Sequence, residues 1–393
     1  MNRLRTIAWG RVATFAVVAV CVGYAPLAMT ELWPYARPGA PAFGERLLGA
    51  AVSPRYVAEA LETRIGPYGR SLVPLIVHSV LGGALMLLGP VQLLGAVRRR
   101  VRLHRAVGIV FALTVYVSMA GAAVYLARTA PRDAFSGEAF WIVLATILVG
   151  TTLSVTFGVL AAVGRRPDLH QRWMLLCYGY LMTAPLLRLE WGGLPLLMPG
   201  LPMEDVNRVA VMHLGSVVVL GALLASRAMD RRATLPSDAG SWTPWPVLAV
   251  AHVAGGAGLW WLGRALTEHG AEGRRLLLAY LLPFAVAYAV MAARQRAAGR
   301  AGRTWAREEW RLHLAALCLA PAFSAGATLV LGPVVHLDRL TALTAGAGIG
   351  CGVLAFAATA VVSLRVVYVG EAARRRGAAA TPATPRASVP TPS

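Results

Sequence analysis

The sequence predicts an all-α protein, a polytopic bundle of about ten transmembrane helices with both termini in the cytoplasm. Hydrophobic residues make up 57% of the 393-residue chain, charged residues make up 14%, and the mean hydropathy is +0.59. A soluble domain of this size has too little interior to bury so much apolar surface. Apolar runs of about 20 residues, the length that crosses a bilayer, recur along the chain, and arginines fill alternate gaps between them.

The arginine pattern sets the predicted orientation, because positively charged loops stay in the cytoplasm. Arginine-rich gaps fall on one side of the membrane, at residues 3–5, 98–105, 165–166, 227–232 and 294–311. The net charge is +20 and the chain contains no lysine. The arginines lie between apolar spans and form no surface interleaved with aromatic residues. We therefore expect anionic lipid headgroups as partners, and no nucleic acid.

The first part of the chain predicts one helix, an outer loop and a five-helix core. Residues 1–30 contain the apolar run 6–29, whose length favours a retained helix over a cleaved signal peptide. Residues 31–71 form the longest extracytoplasmic loop, where Ser53 before Pro54 predicts a capped interfacial helix over 53–65. The core, 72–225, contains the predicted spans 72–97, 106–127, 139–163, 173–189 and 206–225.

The remainder predicts a cytoplasmic linker at 226–245, a second membrane block at 246–369 and a disordered cytoplasmic tail at 370–393. The second block has the predicted spans 246–262, 276–293, 312–331 and 340–369. The tail is rich in arginine, alanine, threonine and proline and has too few apolar residues to form a core. The four cysteines are scattered one to a span, which favours small core residues over a disulfide framework or a zinc site.

Histidine is the residue type that points to chemistry, because an imidazole inside a bilayer must face protein, water or a cofactor. His78 and His213 lie about two turns inside the outer ends of their spans, at a shared depth. His104 and His170 share a depth at the cytoplasmic ends of theirs. Two stacked histidine pairs are typical of bis-imidazole haem b, with all four histidines as iron ligands. The alternative is that they hydrogen-bond neighbouring helices or face headgroups and water.

Two further polar residues extend the candidate site. Arg188 closes the fifth core span at its outer end and could meet a propionate or another anion, or it could pair with a glutamate or snorkel to the interface. Gln92 follows Pro90, which frees a backbone carbonyl in the second span. A polar kink there fits a substrate pocket and fits a packing defect equally well. The sequence contains no phosphate-binding loop, nucleophile elbow or zinc-protease motif.

Residues 78–191 resemble a family of prokaryotic multi-pass membrane proteins, domain of unknown function 2306. Three pieces carry the resemblance, and the first is His78 followed by Gly82-Gly83 and Gly89-Pro90-Val91-Gln92. The second is His104-Arg105-Ala106-Val107-Gly108, and the third is His170-Gln171-Arg172-Trp173-Met174 leading to Arg188-Leu189. The chain departs from the family pattern at Ile109, Phe111 and Leu176. The resemblance implies a multi-pass protein of a prokaryotic plasma membrane and no particular activity, and the last four helices form an extension outside it.

Three functions follow from these patterns. The first is a b-type haem protein that exchanges electrons with a quinone or another redox partner, through His78, His213, His104 and His170. The second is a transporter of small molecules or ions whose polar pocket includes Gln92, His78 and Arg188. The third is a non-catalytic scaffold that acts through glycine-mediated helix packing. The sequence leaves open whether the protein is an enzyme.

Overall fold

A computed structural model describes residues 2–40, 42–215 and 243–380 of the chain. The all-α prediction is confirmed, since the described residues contain helices and no strand. The N-terminal helices are α1 (Asn2–Thr30), α2 (Trp33–Ala36), α3 (Phe43–Ala51), α4 (Pro54–Arg70), α5 (Leu72–Leu93), α6 (Gly95–Arg99) and α7 (Val101–Arg128). They are followed by α8 (Glu138–Val163), α9 (Pro167–Leu181), α10 (Thr183–Leu197) and α11 (203–215). The C-terminal helices are α12 (Trp245–Thr267), α13 (Gly270–Arg300), α14 (Thr304–Val335) and α15 (Arg339–Ala380).

Within the described residues, eight helices are long and apolar enough to cross a membrane. These spans are Thr14–Ala36, Leu72–Leu93, Val101–Arg128, Glu138–Val163, Trp245–Thr267, Gly270–Arg300, Thr304–Val335 and Arg339–Tyr368. The predicted span 206–225 lies partly outside the described residues, as does most of the predicted linker. The number of spans and the cytoplasmic position of the termini stay predictions.

The predicted span 173–189 is not one continuous helix. Its residues fall on α9 and α10, which are separated at Met182. Pro185 explains the break, because proline has no N–H to donate to the carbonyl of Leu181 and its ring crowds that turn. The two short helices therefore meet in the interior of the bundle.

The predicted helix at 53–65 and the predicted tail from residue 370 can be compared directly with the observed helix bounds. The predicted capped helix is present as α4, where Ser53 Oγ accepts a hydrogen bond from the backbone N–H of Tyr56 at 3.2 Å, and its position at the membrane interface stays a prediction. The prediction of a disordered tail from residue 370 is wrong for residues 370–380, which continue α15. Alanine and arginine are strong helix formers, so a helix already stabilised by packing extends into them. Residues 381–393 lie outside the described residues.

Helix α15 connects the two membrane blocks that the sequence separates. It packs along α14 in the C-terminal block and also contacts α8 and α9 of the N-terminal block. Trp173 of α9 and Phe356 of α15 have ring centroids 5.2 Å apart. The C-terminal block packs around α14, and the N-terminal block packs α5 against α1 and α7. A cavity lies where α15 meets the N-terminal helices.

Candidate functional site: a cavity lined by a polar end

A cavity of about 230 Å³ lies among helices of the N-terminal block and α15. Its walls are mainly apolar and include side chains from α5, α7 and α8, such as Met86, Met119, Leu144 and Leu148. Gly82, Gly348 and Gly352 also line it and leave its volume free of side chains. Hydroxyls of Thr151, Tyr180 and Thr183 line parts of the cavity away from its charged groups. The two charged side chains of the lining, Glu31 and Arg188, lie where α1 ends, at the end that the arginine pattern predicts to be extracytoplasmic. We call this the outer end of the bundle.

An ion pair between α10 and the end of α1 forms the polar end of the cavity. Arg188 Nη2 donates to Glu31 Oε1 at 2.5 Å, and both residues line the cavity. Their side chains retain 23% and 19% exposure, so the pair remains accessible although it lies within the bundle. The guanidinium carbon of Arg188 also lies 4.3 Å from the ring centroid of Trp191, at cation–π distance.

A second guanidinium, from α4, lies on the same tryptophan. Arg64 is 6% exposed, and its guanidinium carbon lies 4.0 Å from the Phe135 ring centroid and 4.8 Å from that of Trp191. No carboxylate of the described residues lies within ion-pair distance of it, and its Nε has no hydrogen-bond partner there. Its Nη2 has only the sulfur of Met203, at 3.1 Å, a weak acceptor. Arg64 is thus held by the two aromatic rings, with Glu45 within electrostatic range.

Hydrogen bonds fix the position of Trp191 between these arginines. Its Nε1 donates to Asn207 Oδ1 at 3.0 Å, and Asn207 Nδ2 donates to Ser136 Oγ at 3.0 Å. The hydroxyl of Tyr56 donates to the Trp191 carbonyl at 3.1 Å. These bonds tie α4, α10 and α11 together, so the aromatic platform under the two guanidinium groups is held by three elements.

His78 lines the cavity from α5 and is oriented by Ser118 of α7. Its Nδ1 lies 3.0 Å from the Ser118 carbonyl oxygen and 3.1 Å from Ser118 Oγ, and Ser118 Oγ donates to the His78 carbonyl at 3.0 Å. A carbonyl only accepts, so Nδ1 carries the proton and Nε2 of the neutral ring is an acceptor. No described residue hydrogen-bonds Nε2, and this nitrogen is the group that His78 can offer to a ligand.

His213 has an acidic partner on α10. Its Nδ1 lies 2.6 Å from Glu190 Oε1, and it is not among the described residues that line the cavity. The Glu190 bond engages Nδ1 and leaves Nε2, the nitrogen that a metal or ligand would use, unassigned. The facing pair of His78 and His213 stays a prediction.

The second histidine pair does come together, at the opposite end of the bundle. The ring centroids of His104 and His170 are 6.5 Å apart with an interplanar angle of 82°. His170 Nδ1 lies 2.9 Å from the Gly158 carbonyl, which fixes that proton and leaves Nε2 as an acceptor. His104 Nδ1 is buried without a partner among the described residues. Gln92 Nε2 donates to the His104 carbonyl at 3.3 Å.

Gln92 thus lies beside the inner histidine pair and does not line the cavity with His78 and Arg188. The prediction of one pocket for all three is wrong, because α5 extends from Leu72 to Leu93 and places His78 and Gln92 14 positions apart along one helix. At 1.5 Å per residue this is about 20 Å. Among the described residues, no group of three or more histidine, cysteine or acidic side chains is arranged to hold a metal ion.

Sequence reasoning missed a buried ion pair that joins the two membrane blocks. Arg172 Nη1 of α9 lies 2.8 Å from Glu309 Oε1 of α14, and the two side chains are 5% and 1% exposed. Arg172 belongs to one of the three motif pieces, and this membership is the feature of the sequence that could have marked it as important. Its partner lies 137 positions away and could not be chosen from an arginine-rich loop by spacing.

The fold and the cavity together define an integral membrane protein built from a polytopic helical bundle. Residues 75–227 match the model of a family described as "Predicted membrane protein (DUF2306)". The match contains the predicted resemblance at 78–191 and extends from the first turn of α5 through α11, while α1 to α4 and the C-terminal block lie outside it. Neither the curated proteins nor the solved structures contain a match to the chain.

Proposed function

We propose that this membrane protein binds a small, largely apolar molecule with a polar end, as the binding step of a transporter. The observation that carries the proposal is the cavity, whose walls are mainly apolar and whose charged side chains, Glu31 and Arg188, lie together at one end. Such a cavity is the usual form of a ligand site. As the resemblance implies, we place the protein in the plasma membrane of a prokaryotic cell, with its arginine-rich loops on anionic lipid headgroups.

The size of the cavity limits the ligand. At about 230 Å³ it is smaller than the roughly 300–1,000 Å³ of sites for drug-sized molecules. It suits a molecule with a polar head and a short hydrocarbon chain. The His78 Nε2 acceptor and the Arg188–Glu31 pair are available to the polar head.

The break between α9 and α10 supports a role in transport. Tyr180, Leu181, Thr183 and Ala184 flank the break and line the cavity. Met182 keeps helical backbone angles, and Pro185 supplies no N–H to the Leu181 carbonyl, so the feature is a proline kink beside the cavity. Interrupted helices form the substrate sites of many transporters.

Photolabelling tests the proposal. The protein in lipid nanodiscs is irradiated with a diazirine derivative of 1-octanol, and the labelled peptides are mapped by mass spectrometry. We expect labels on cavity-lining residues and their loss with excess 1-octanol. Leu144→Trp fills the cavity and should abolish them, while Leu153→Trp, at a 39% exposed position of the same helix, should not. Labels confined to lipid-facing positions would refute the proposal.

Haem binding is a second candidate, and only the inner histidine pair favours it. The imidazoles of His104 and His170 are neighbours with ring centroids 6.5 Å apart, and histidine is a common axial ligand of haem iron. Such a site would pass electrons to or from a quinone or another redox partner. A reduced-minus-oxidised spectrum of protein expressed with ample haem tests it. The b-type signal should be lost in His170→Ala and kept in His252→Ala, whose imidazole bonds Leu248 and Tyr288. A featureless wild-type spectrum excludes the site.

A further inference from the structure

The charges around the cavity point to the chemistry of the ligand's polar end. Glu31 and Arg188 are the only acidic and basic side chains apart from His78 among the described residues that line it. Arg64 adds a second guanidinium on Trp191 and has no carboxylate partner in the described part of the chain. Arg64 itself does not line the cavity, and Glu45 lies within electrostatic range of it. The cationic group that a ligand's polar end can meet is therefore Arg188, and an anion stabilises a guanidinium in apolar surroundings.

Arg188 also has hydrogen-bonding capacity left for such an anion. A guanidinium carries five N–H donors in a planar fork that binds carboxylates at two points. In this structure Arg188 makes one hydrogen bond, from Nη2 to Glu31. Its remaining donors are without a described partner, and its side chain keeps 23% exposure beside the cavity. The guanidinium is therefore held in place while some of its N–H donors remain available to a ligand.

A short apolar chain attached to a carboxylate fits both parts of the cavity. The hydrocarbon chain would lie against Met119, Leu144 and Leu148, and the head would reach Arg188. Carboxylate is the anion that Arg188 already binds, through Glu31. We propose that the ligand of the cavity is an amphiphilic monocarboxylate whose head binds Arg188 in competition with Glu31, an inference that rests on the proposed function.

This competition gives the two ion-pair partners opposite roles. Arg188 attracts the ligand's head, so its removal weakens binding of the carboxylate. Glu31 occupies part of Arg188 and repels a second carboxylate, so its neutralisation strengthens binding. A purely structural ion pair behaves differently, because the loss of either partner then disturbs the same contact.

The test compares how well octanoate and 1-octanol, which have the same chain length and differ at the polar end, displace the photolabel. It is done at neutral pH, where octanoate is ionised. Unlabelled octanoate and 1-octanol are titrated against the diazirine octanol in wild type, Arg188→Gln, Arg188→Lys and Glu31→Gln. The quantity measured is the potency of octanoate relative to 1-octanol. We expect it to fall about tenfold in Arg188→Gln, the size of a lost charged hydrogen bond, to fall less in Arg188→Lys, and to rise in Glu31→Gln.

The outcomes separate the two proposals. A relative potency that is unchanged in both Arg188→Gln and Glu31→Gln, or lowered in both, overturns the carboxylate inference while 1-octanol still protects the cavity. If Arg188→Gln fails to fold, the result from Arg188→Lys and Glu31→Gln decides in the same way. Failure of the diazirine octanol to label cavity residues in wild type refutes the proposed function itself.

Discussion

Two glycines of α12 are expected to control how closely the C-terminal helices pack. An ideal Cβ on Gly255 lies 2.0 Å from the Cys318 carbonyl oxygen of α14, and one on Gly258 lies 2.4 Å from the Ala322 nitrogen. Ordinary contacts between carbon atoms lie at about 3.5–4.0 Å. An alanine at either position therefore meets backbone, which cannot turn away as a flexible side chain can, and α12 must move away from α14.

The expected cost follows from two opposing terms. Overpacking of this kind costs about 1–3 kcal/mol and sometimes more, and replacing a helical glycine by alanine returns up to about 1 kcal/mol. We expect Gly255→Ala and Gly258→Ala each to destabilise the protein by about 2 kcal/mol. Gly256 is the matched control, because its added Cβ meets nothing within 4 Å. Gly256→Ala should leave the free energy of unfolding unchanged or slightly higher.

Unfolding in mixed micelles, titrated with sodium dodecyl sulfate and followed by tryptophan fluorescence, measures these free energies. We expect Gly256→Ala to be as stable as wild type or slightly more stable. Gly255→Ala and Gly258→Ala should unfold at lower detergent fractions than wild type. If all three alanine variants unfold at the same detergent fraction, the close approach of α12 and α14 is refuted.

Two further predictions concern ionisable groups. Burial raises the pKa of Glu45, in the outer loop, from 4.5 to about 7, with Arg64 opposing the rise and Glu31 adding to it. Because the folded state favours the protonated acid, its contribution to stability is complete below pH 4.5 and declines as the pH rises to about 7. Glu45→Gln should flatten the fall in melting temperature over that interval, and an unchanged slope would contradict the assignment. For the buried pair, Glu309→Gln leaves Arg172 without this carboxylate and should cost about 3 kcal/mol in the same unfolding assay, whereas Glu59→Gln, in an exposed pair, should cost less than about 1 kcal/mol. Equal effects of the two substitutions would contradict the burial of Arg172.

Local patterns in the sequence predict the helices well, and the failures have specific causes. Ser53 and Pro54 predict the start of α4, because helix capping depends on residues that are adjacent in the sequence. The run 173–189 has the composition of one span, and the interruption at Met182 depends on Pro185 within that run. Proline in an apolar run marks a place where a helix can break, but packing decides whether it does.

The site is less predictable because its partners are distant in the chain. Arg188 and His78 are recognisable as polar residues in apolar surroundings, and both line the cavity. Glu31 is separated from Arg188 by 157 positions, and no periodicity connects them. For His213, shared depth suggests a partner on α5, whereas the contact that the structure shows is from Nδ1 to a nearby acid, Glu190.

Locating a bound amphiphile would test whether the cavity is a ligand site. Crystals of the protein grown with a bromine-terminated octanol would give an anomalous difference map that shows the bromine position. We expect a peak inside the cavity, beside Leu144 and Leu148 and away from Arg188, with the polar end of the ligand at Arg188. Bromine peaks only on the lipid-facing surface of the bundle would contradict binding in the cavity.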